Sequence, residues 1–316
     1  MNKKVVVLGG GKGISYLLAG LKDFPLDVTA IISVADNGKS TGKLRKEFHT
    51  PAVGDIRKII TSLSETDENI KEMLEYRFHT TSDLDGHALG NLILTSLLDI
   101  TGSLKASIEE LSILLDVKSK ILPLTEDENV TLMGEATDGE IIYGEEMITK
   151  SPKKIKRIFY KENPHVLNEV IEAINEADLI LLSMGSLYTS LFPNLLAKKV
   201  KETLDKTNAP IMYVCNIVTQ PGETDNFTVS DHVNLINQYL GTHKLDVVIA
   251  SNSPISNEMA EKYASKERKD PVKIDYAVLK SLDVEFIEAD LLTITDNTLK
   301  HHSQKLSSLI FSYLMR

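Results

Sequence analysis

The stretch KVVVLGGGKGIS, residues 4–15, joins a run of β-branched apolar residues to a glycine-rich turn and the start of a helical pattern. Such a run is typical of a strand buried in a parallel sheet. Glycines after it let backbone N–H groups approach an anion, and the following helix adds its dipole. We therefore expect a strand, a ligand-binding turn and a helix, which together open a doubly wound α/β fold.

Further apolar runs of the same kind indicate strands at 28–33, 177–183, 210–216 and 245–251. Apolar residues three and four apart indicate helices between most of them, for which the examples are 14–22, 167–176, 194–205 and 231–240. This alternation predicts right-handed βαβ units and a Rossmann-like, three-layer fold with a mostly parallel sheet.

The middle of the chain departs from this alternation. Residues 54–116 show mostly helical patterns, whereas an inserted β segment is expected at roughly 118–162. Within the insertion, the turn at Asp138-Gly139 predicts a hairpin of two strands. We expect one domain spanning residues 1–316, with this segment packed on the main sheet.

Bulk properties narrow the class of protein. The formal net charge is −10, so the molecule as a whole has no electrostatic attraction for nucleic acid or an anionic membrane. No apolar run approaches the roughly 20 residues that span a bilayer, and the N-terminus does not have the form of a signal peptide. The lone cysteine, Cys215, allows no intramolecular disulfide. We expect a cytoplasmic protein without membrane insertion.

The stretch SVADNGKSTG, residues 33–42, contains the Gly-Lys-Ser-Thr of a phosphate-binding P-loop. A complete P-loop needs glycine where Ser33 stands, and it follows the first strand rather than the second. The remaining donors, Lys39, Thr41 and Arg45 among them, still favour an anion site. A solvated basic loop is the alternative. A further alternative is a nicotinamide-dependent dehydrogenase, because Asp36 lies where such enzymes bind a ribose hydroxyl. The dinucleotide fingerprint of these enzymes, however, needs a third glycine where Ile14 stands.

Two polar segments follow in the helical part, PAVGDIRK (51–58) and DLDGHALGN (83–91). Asp55 is an N-cap candidate, and Arg57 faces either a phosphate or water. His87 and Asn91, four residues apart, predict one polar helical face. With the neighbouring aspartates they form a polar wall or hold magnesium through oxygen ligands. Cys spacing and a His-x₃-His pair are missing, which argues against zinc.

Two long polar segments follow strands in the second half, at 183–196 and 215–227. Long segments after buried strands are typical of binding loops, although plain surface loops are the alternative. Backbone donors at Gly185 and Ser186 would meet a phosphate or base, and Tyr188 would stack on a ring. Hydrogen bonds to a base or sugar are expected from polar residues of the second loop: Thr219, Gln220, Glu223, Thr224 and Asp225.

The segments GGGKGIS, VADNGKSTGKLR, GDIRK, GHALGNL, GSLYTS and CNIVTQPGETDNFTVSDHV resemble, in order and spacing, the YvcK/CofD-like proteins. The resemblance extends to about residue 300 and is closest to the YvcK branch, the gluconeogenesis factors. It implies a Rossmann-like fold and a UDP-sugar ligand such as UDP-N-acetylglucosamine. It also implies a role in cell-wall synthesis and cell shape on gluconeogenic carbon sources, as a regulator rather than a catalyst.

The loops and the resemblance together give the expected ligand contacts, with no metal ligands and no catalytic residue. These contacts are Gly9, Gly10, Gly11, Lys12, Gly13, Asp36, Asn37, Lys39, Ser40, Thr41, Arg45, Asp55, Arg57, His87, Asn91, Gly185, Ser186, Leu187, Tyr188, Thr189, Asn194, Asn216, Thr219, Gln220, Gly222, Glu223, Thr224 and Tyr263. The expected partners are the nucleotide sugar, morphogenesis or peptidoglycan-synthesis proteins, and a second copy in a homodimer.

The alternative that the resemblance leaves open is an enzyme of the other branch, a 2-phospho-L-lactate transferase. It would move phospholactate from a guanosine diphosphate carrier to a deazaflavin with magnesium, and Asp36 and Asp55 would be its catalytic residues. Asn37 replaces an aspartate of that pattern and argues against both magnesium and transfer. Other departures are Lys12 for Thr, Lys39 for Gly, SMGSLYTS for GPGSLYTS, and Lys300-His301-His302 for Arg-His-Asp.

Overall fold

A computed structural model describes residues 2–316, apart from the side chain of Lys39. The strands are β1 Lys3–Gly9, β2 Leu26–Ile32, β3 Lys120–Pro123, β4 Leu132–Ala136, β5 Ile141–Tyr143, β6 Ile155–Tyr160, β7 Leu179–Leu182, β8 Ile211–Val214, β9 Val247–Ser251, β10 Glu285–Ala289, β11 Leu292–Thr295 and β12 Thr298–His301.

The helices are α1 Gly11–Leu21, α2 Lys39–Phe48, α3 Gly54–Leu63, α4 Glu68–Glu75, α5 Leu89–Thr101, α6 Leu104–Leu114, α7 Glu145–Lys150, α8 Asn168–Asn175, α9 Phe192–Leu196, α10 Lys198–Leu204, α11 Val229–Tyr239, α12 Asn257–Glu267, α13 Tyr276–Leu279 and α14 Ser303–Leu314. A π-helical turn, Leu187–Leu191, precedes α9.

Seven parallel strands form the main sheet, in the order β10-β9-β8-β7-β1-β2-β3. The interior strand β1 pairs with β2, where Val5 is opposite Val28, and with β7, where Val5 is opposite Leu179. The side chains of residues 5–8 are at most 2% exposed, so both faces of β1 are covered. Burial on both faces is why the strand reads as a continuous apolar run, and the predicted α/β fold with a mostly parallel sheet is confirmed.

Helices cover this sheet in two groups. α1 packs against α3 and α14, while α10 packs against α8 and α9, and α9 against α11. The helix expected over 194–205 is divided into α9 and α10, because Ala197 takes extended dihedral angles. The described helices include none with the length and apolarity that crossing a membrane requires.

A three-stranded antiparallel sheet, in the order β5-β4-β6, holds the hairpin expected at Asp138-Gly139. The prediction of two strands missed β6, which pairs with the other edge of β4. The β segment expected over 118–162 also contains α7, because Gly144 at φ +88 follows β5 and the chain then becomes helical. Lys120–Pro123, which lies within the predicted insertion, pairs with β2 in the main sheet instead.

Candidate functional site

The carboxyl ends of β1, β2, β7 and β8 meet at one edge of the main sheet. The chain runs outward from β1 through β2 to β3, then returns to place β7 on the other side of β1. This reversal of strand order is the topological switch point at which open α/β sheets bind ligands. The four polar segments that directly follow these strands all begin at this edge.

The loop between β1 and α1 holds the glycines in two roles. A Cβ added to Gly9 would overlap the Ser183 hydroxyl, and one added to Gly13 would overlap the Met184 carbonyl oxygen. These two glycines therefore let the loop pack against the segment after β7, and we assign them to packing rather than to ligand contact. Gly11 has φ +60, which favours glycine in its own right.

The start of α1 is open to an anion. Gly10 is its N-cap and supplies no side-chain hydrogen bond, so the first-turn N–H groups are not capped by it. Of the next residues, Gly11 is half-buried and Lys12 is exposed. An uncapped helix N-terminus at the switch point, beside a lysine, is a suitable place for a phosphate.

The loops after β7 and β8 are bonded to each other, and we call the set Gly185, Ser186, Asn216 and Glu223 the locked wall. The Gly185 N–H donates to Asn216 Oδ1 at 2.9 Å, and Asn216 Nδ2 donates back to the Gly185 carbonyl at 2.7 Å. Ser186 Oγ donates to the Glu223 carboxylate at 2.7 and 2.9 Å. These groups, expected to meet a ligand, are instead committed to joining the two loops.

Burial dominates the electrostatics of the locked wall. Glu223 is 5% exposed, and burial raises the pKa of its carboxyl to about 7, against the opposing hydrogen bond from Ser186. Ser186 also accepts hydrogen bonds from the N–H and the hydroxyl of Thr189, at 2.9 and 2.8 Å. A buried carboxyl satisfied in this way fixes the relative position of the two loops.

Several other residues expected to contact a ligand are buried here by tertiary packing. Tyr188 is 3% exposed and packs edge-on against Phe192 and Tyr239, so its ring is not presented for stacking. Leu187 and Asn194 are fully buried, and Asn194 donates to the Gly9 carbonyl at 3.2 Å. The structure does not support direct ligand contact for these three.

The loop after β8 uses most of its polar atoms within the protein. Thr219 exchanges hydrogen bonds with the backbone of Asp270, and the Thr224 hydroxyl accepts the Gln220 N–H at 2.8 Å. Gly222, at φ +78, accepts the N–H of Ile155 from the small sheet. Thr219 and Thr224 are buried and therefore belong to the loop's framework, whereas the Gln220 side chain is half-buried.

A second set of residues, which we call the acidic wall, comprises Asp36, Asp55, Lys58 and Glu145. The Asp36 carboxylate accepts the Gly38 N–H at 2.9 Å, and Lys58 Nζ donates to Asp55 at 2.8 Å. Burial, and then the negative charge of Asp55, raise the pKa of Asp36. Burial opposes protonation of Lys58, but Asp55 and Asp36 outweigh it and raise the pKa of its ammonium group.

Glu145, at the start of α7, is the member of the acidic wall that the sequence analysis missed. Burial and the negative charge of Asp36 raise the pKa of its carboxyl to about 7, against the hydrogen bond from Thr149. α7 contacts the π-helical turn that follows Ser186, which joins the acidic wall to the locked wall. The available signal was Gly144 followed by two acidic residues, a pattern that favours a helix start.

Ser40, Arg57, His87 and Asn91 form a buried network away from solvent. Ser40 Oγ lies 3.1 Å from His87 Nδ1 and accepts from Asn91 Nδ2 at 3.2 Å. Arg57 is 1% exposed, donates to Asn91 at 2.9 Å and pairs with Glu75 at 2.5 Å. The expectation that these side chains face a phosphate or a metal is not supported, because they satisfy one another.

The remaining predictions fall on three elements. Arg45 donates to three backbone carbonyls, and Asn37 Oδ1 accepts the Glu146 N–H at 3.0 Å, so both tie the loop after β2 to the segment around the small sheet. Tyr263 is buried, and its hydroxyl accepts the Leu299 N–H at 2.8 Å. The side chain of Lys39 lies outside the described part of the chain.

A cavity of about 170 Å³ lies beside the locked wall, at the carboxyl ends of β8 and β9. Asn216, Ser251 and Ser253 contribute polar groups to its lining, and Pro271 contributes an apolar face. Among the described residues, no three acidic, histidine or cysteine side chains come together as a metal site. The arrangement therefore offers an anion site at α1, acceptors on the acidic wall and a small mixed pocket.

Comparison with known protein families gives one match that spans most of the chain. Residues 5–292 match the family described as 2-phospho-L-lactate transferase CofD. This interval begins in β1 and ends at the start of β11, so it contains both walls and the open end of α1.

Individual relatives are similar over almost the whole length. A protein of Halalkalibacterium halodurans named gluconeogenesis factor is 42% identical over 98% of this chain and 95% of its own length. The Bacillus subtilis gluconeogenesis factor is 40% identical over 98% of both chains. A crystal structure of a Bacillus halodurans protein, 42% identical, superimposes with a TM-score of 0.94 over 98% of this chain and 100% of that one.

Proposed function

The chain belongs to the CofD/YvcK family, and we propose that it acts as a gluconeogenesis factor that binds a nucleotide diphosphate sugar of the UDP-N-acetylglucosamine type. Its ligand would lie at the switch point, between the locked wall and the acidic wall. Its role would be regulatory, in cell-wall synthesis and cell shape during growth on gluconeogenic carbon.

The open N-terminus of α1 is the observation that carries this proposal. The diphosphate would accept hydrogen bonds from the first-turn N–H groups after Gly10, with Lys12 adding a positive charge. Neighbouring donors of the locked wall are already used, since Gly185 and Ser186 bond to Asn216 and Glu223. The phosphate contact thus falls to the β1–α1 loop.

The two walls give the rest of the ligand distinct environments. The mixed cavity next to Asn216 would take the base, because its lining offers both polar groups and the face of Pro271. The acidic wall would face the sugar, since carboxylates such as Asp36 accept hydrogen bonds from hydroxyl groups. Three crowded carboxylates disfavour a second anion at this wall and favour a neutral, hydroxyl-rich group.

Calorimetric titration with UDP-N-acetylglucosamine tests the proposal. We expect saturable binding, weakened about tenfold in Lys12→Gln because a charge-assisted hydrogen bond to phosphate is worth roughly 1.5 kcal/mol. Lys199→Gln is the matched control, since Lys199 is an exposed lysine on α10, far along the chain from the loop. Absence of binding up to about 1 mM ligand, a free energy of only about −4 kcal/mol, would refute the proposal.

A transferase activity is the second candidate, favoured by the family match and by the closeness of Asp36 and Asp55. Those two carboxylates would hold a magnesium ion, although Lys58 already occupies one oxygen of Asp55. Magnesium would neutralise the charge of a diphosphate. Incubation with a guanosine diphosphate-activated phospholactate, a deazaflavin and magnesium tests it, and a product that Asp36→Asn abolishes would favour the enzyme over the regulator.

A further inference from the structure

The largest of the described cavities, about 640 Å³, lies between α2 and residues 128–132, with Gly144 and Glu146 at its edge. Its lining contains Ala35 and Asn37, the chain neighbours of Asp36, whereas the Asp36 carboxylate is directed to Gly38 and to the acidic wall. The cavity therefore adjoins the acidic wall through the loop after β2, but the side chains of that wall are not part of its lining. Its size is that of a small-metabolite site.

Arg45 is the central cation of this cavity. Its guanidinium donates to the carbonyls of Asp36 at 3.0 Å, Glu128 at 3.0 Å and Val130 at 2.7 Å. Three of its five N–H groups are thereby fixed, and it forms no ion pair in the described part of the chain. Burial lowers the pKa of the guanidinium, with only the distant charge of Asp36 opposing that shift. A partly buried cation that forms no direct ion pair favours an anion beside it.

The other charged groups of the lining reinforce this preference. Lys43 and Lys46 are exposed on the adjoining turns of α2. The carboxylate of Glu146 is engaged by Lys150 at 2.6 Å, which leaves Glu128 as the acidic group without an ion pair among the described lining residues. Three cations against one free carboxylate make this a locally positive cavity on a protein whose net charge is −10.

The neutral part of the lining indicates what accompanies the anion. Asn37, Asn129 and Thr131 contribute amide and hydroxyl groups, and the backbone of residues 128–132 forms much of the wall. The volume greatly exceeds that of a free phosphate ion, and the ammonium groups of Lys43 and Lys46 attract phosphate oxygens as point charges. Phosphate joined to a hydroxyl-rich body is the chemistry that fits both features.

We infer that this cavity is a second ligand site, separate from the switch point, that takes a phosphorylated, hydroxyl-rich metabolite of the sugar phosphate class. Arg45 and the two lysines of α2 bind the phosphate, and the amides and backbone of the 128–132 segment bind the hydroxyls. This inference does not rest on the nucleotide-sugar proposal, because the two sites share no cation.

Titration with glucose 6-phosphate tests the inference, with glucose and inorganic phosphate as separate probes. We expect saturable binding of glucose 6-phosphate that is at least tenfold tighter than that of inorganic phosphate, and no binding of glucose. The double variant Lys43→Gln/Lys46→Gln should weaken it about tenfold, whereas the control Lys199→Gln should not change it. The lysines are preferred to Arg45, whose backbone contacts also hold the loop.

Competition separates this site from the switch point. Glucose 6-phosphate should bind equally well when the protein is saturated with UDP-N-acetylglucosamine, and it should bind even if that nucleotide sugar does not. Three results overturn the inference: no saturable binding up to about 10 mM, roughly −3 kcal/mol; unchanged binding in the double variant; or displacement by the nucleotide sugar.

Discussion

The locked wall and the acidic wall both lie at the carboxyl edge of the main sheet, yet their charged groups have opposite environments. In the locked wall the Glu223 carboxyl is buried and accepts a hydrogen bond from Ser186. Asn216 accepts the N–H of Gly185 and donates to its carbonyl. In the acidic wall, burial and then the negative charge of Asp55 raise the pKa of Asp36, while burial and then the charge of Asp36 raise that of Glu145. Completed hydrogen bonding is typical of a scaffold, whereas unresolved repulsion between charges is typical of a functional surface.

The largest expected effect breaks the packing beneath the locked wall. In Gly13→Ala the new Cβ would overlap the backbone carbonyl of Met184, which cannot rotate away. We expect a loss of about 3 kcal/mol in the free energy of unfolding, because overpacking against backbone forces the loops apart.

The control for this variant is Gly10→Ala. Gly10 has extended dihedral angles, and an added Cβ would meet Ser190 at 3.4 Å, an ordinary contact. Urea denaturation should show a change of less than about 1 kcal/mol. Equal losses in the two variants would contradict the view that the loop's close packing, rather than glycine itself, matters.

The dependence of stability on pH sharpens the comparison, because both walls contain a carboxyl whose pKa is raised to about 7 by burial. Between pH 4.5 and 7 the folded protein keeps a proton on each that the unfolded chain releases. The stability that each of these two carboxyls contributes is therefore fully present below this window and is lost as the pH rises through it, by about 2 kcal/mol for a carboxyl as deeply buried as Glu223.

Glu223→Gln should remove this loss in the locked wall, since a glutamine oxygen still accepts the Ser186 hydroxyl but carries no proton to release. Glu145→Gln should remove the part of this stability loss that comes from the acidic wall. Thermal unfolding at pH 5 and pH 8 measures both, and a wild-type protein that gains stability over this interval would contradict the assignment of either raised pKa.

The smallest effect is expected in the acidic wall, and it has the opposite sign. Asp36→Asn keeps an oxygen for the Gly38 N–H and removes one charge from the crowded set. We expect a gain of about 0.5 kcal/mol in stability, together with a lower pKa for Glu145 measured by NMR titration. A marked loss of stability would show that the Asp36 carboxylate is a structural group like Glu223.

The sequence predicted the elements that depend on burial alone. The strands β1, β2 and β7, which begin at residues 3, 26 and 179, were recognisable because a strand covered on both faces must be apolar throughout. β10 was missed, since it lies at the sheet edge and Glu285 and Glu288 leave only two adjacent apolar residues between them. β3 was assigned to the inserted β segment instead of the main sheet. The hairpin of β11 and β12 was missed because its strands are mostly half-buried or exposed and carry no continuous apolar run.

The place of the site was also predictable, whereas the roles of its residues were not. Loops after parallel strands must meet at one edge, so their convergence follows from the fold class. Whether Tyr188 stacks on a ligand or packs edge-on against Phe192 and Tyr239, however, depends on burial by elements distant in the sequence such as α11. The same holds for Arg57, whose partner Glu75 lies on another helix, and for Glu145, which reaches the cleft only because the small sheet packs there.

The interior position of β1 in the sheet affects how the chain folds during synthesis. Its neighbour β7 lies far along the chain, so that the contact between Lys4 and Asp178 closes a separation of 174 residues. During synthesis, the first strand must wait for more than half of the polypeptide before its second edge is covered. The cleft is therefore among the last parts to assemble, and until then the nascent chain exposes an unpaired apolar strand edge that chaperones would have to protect.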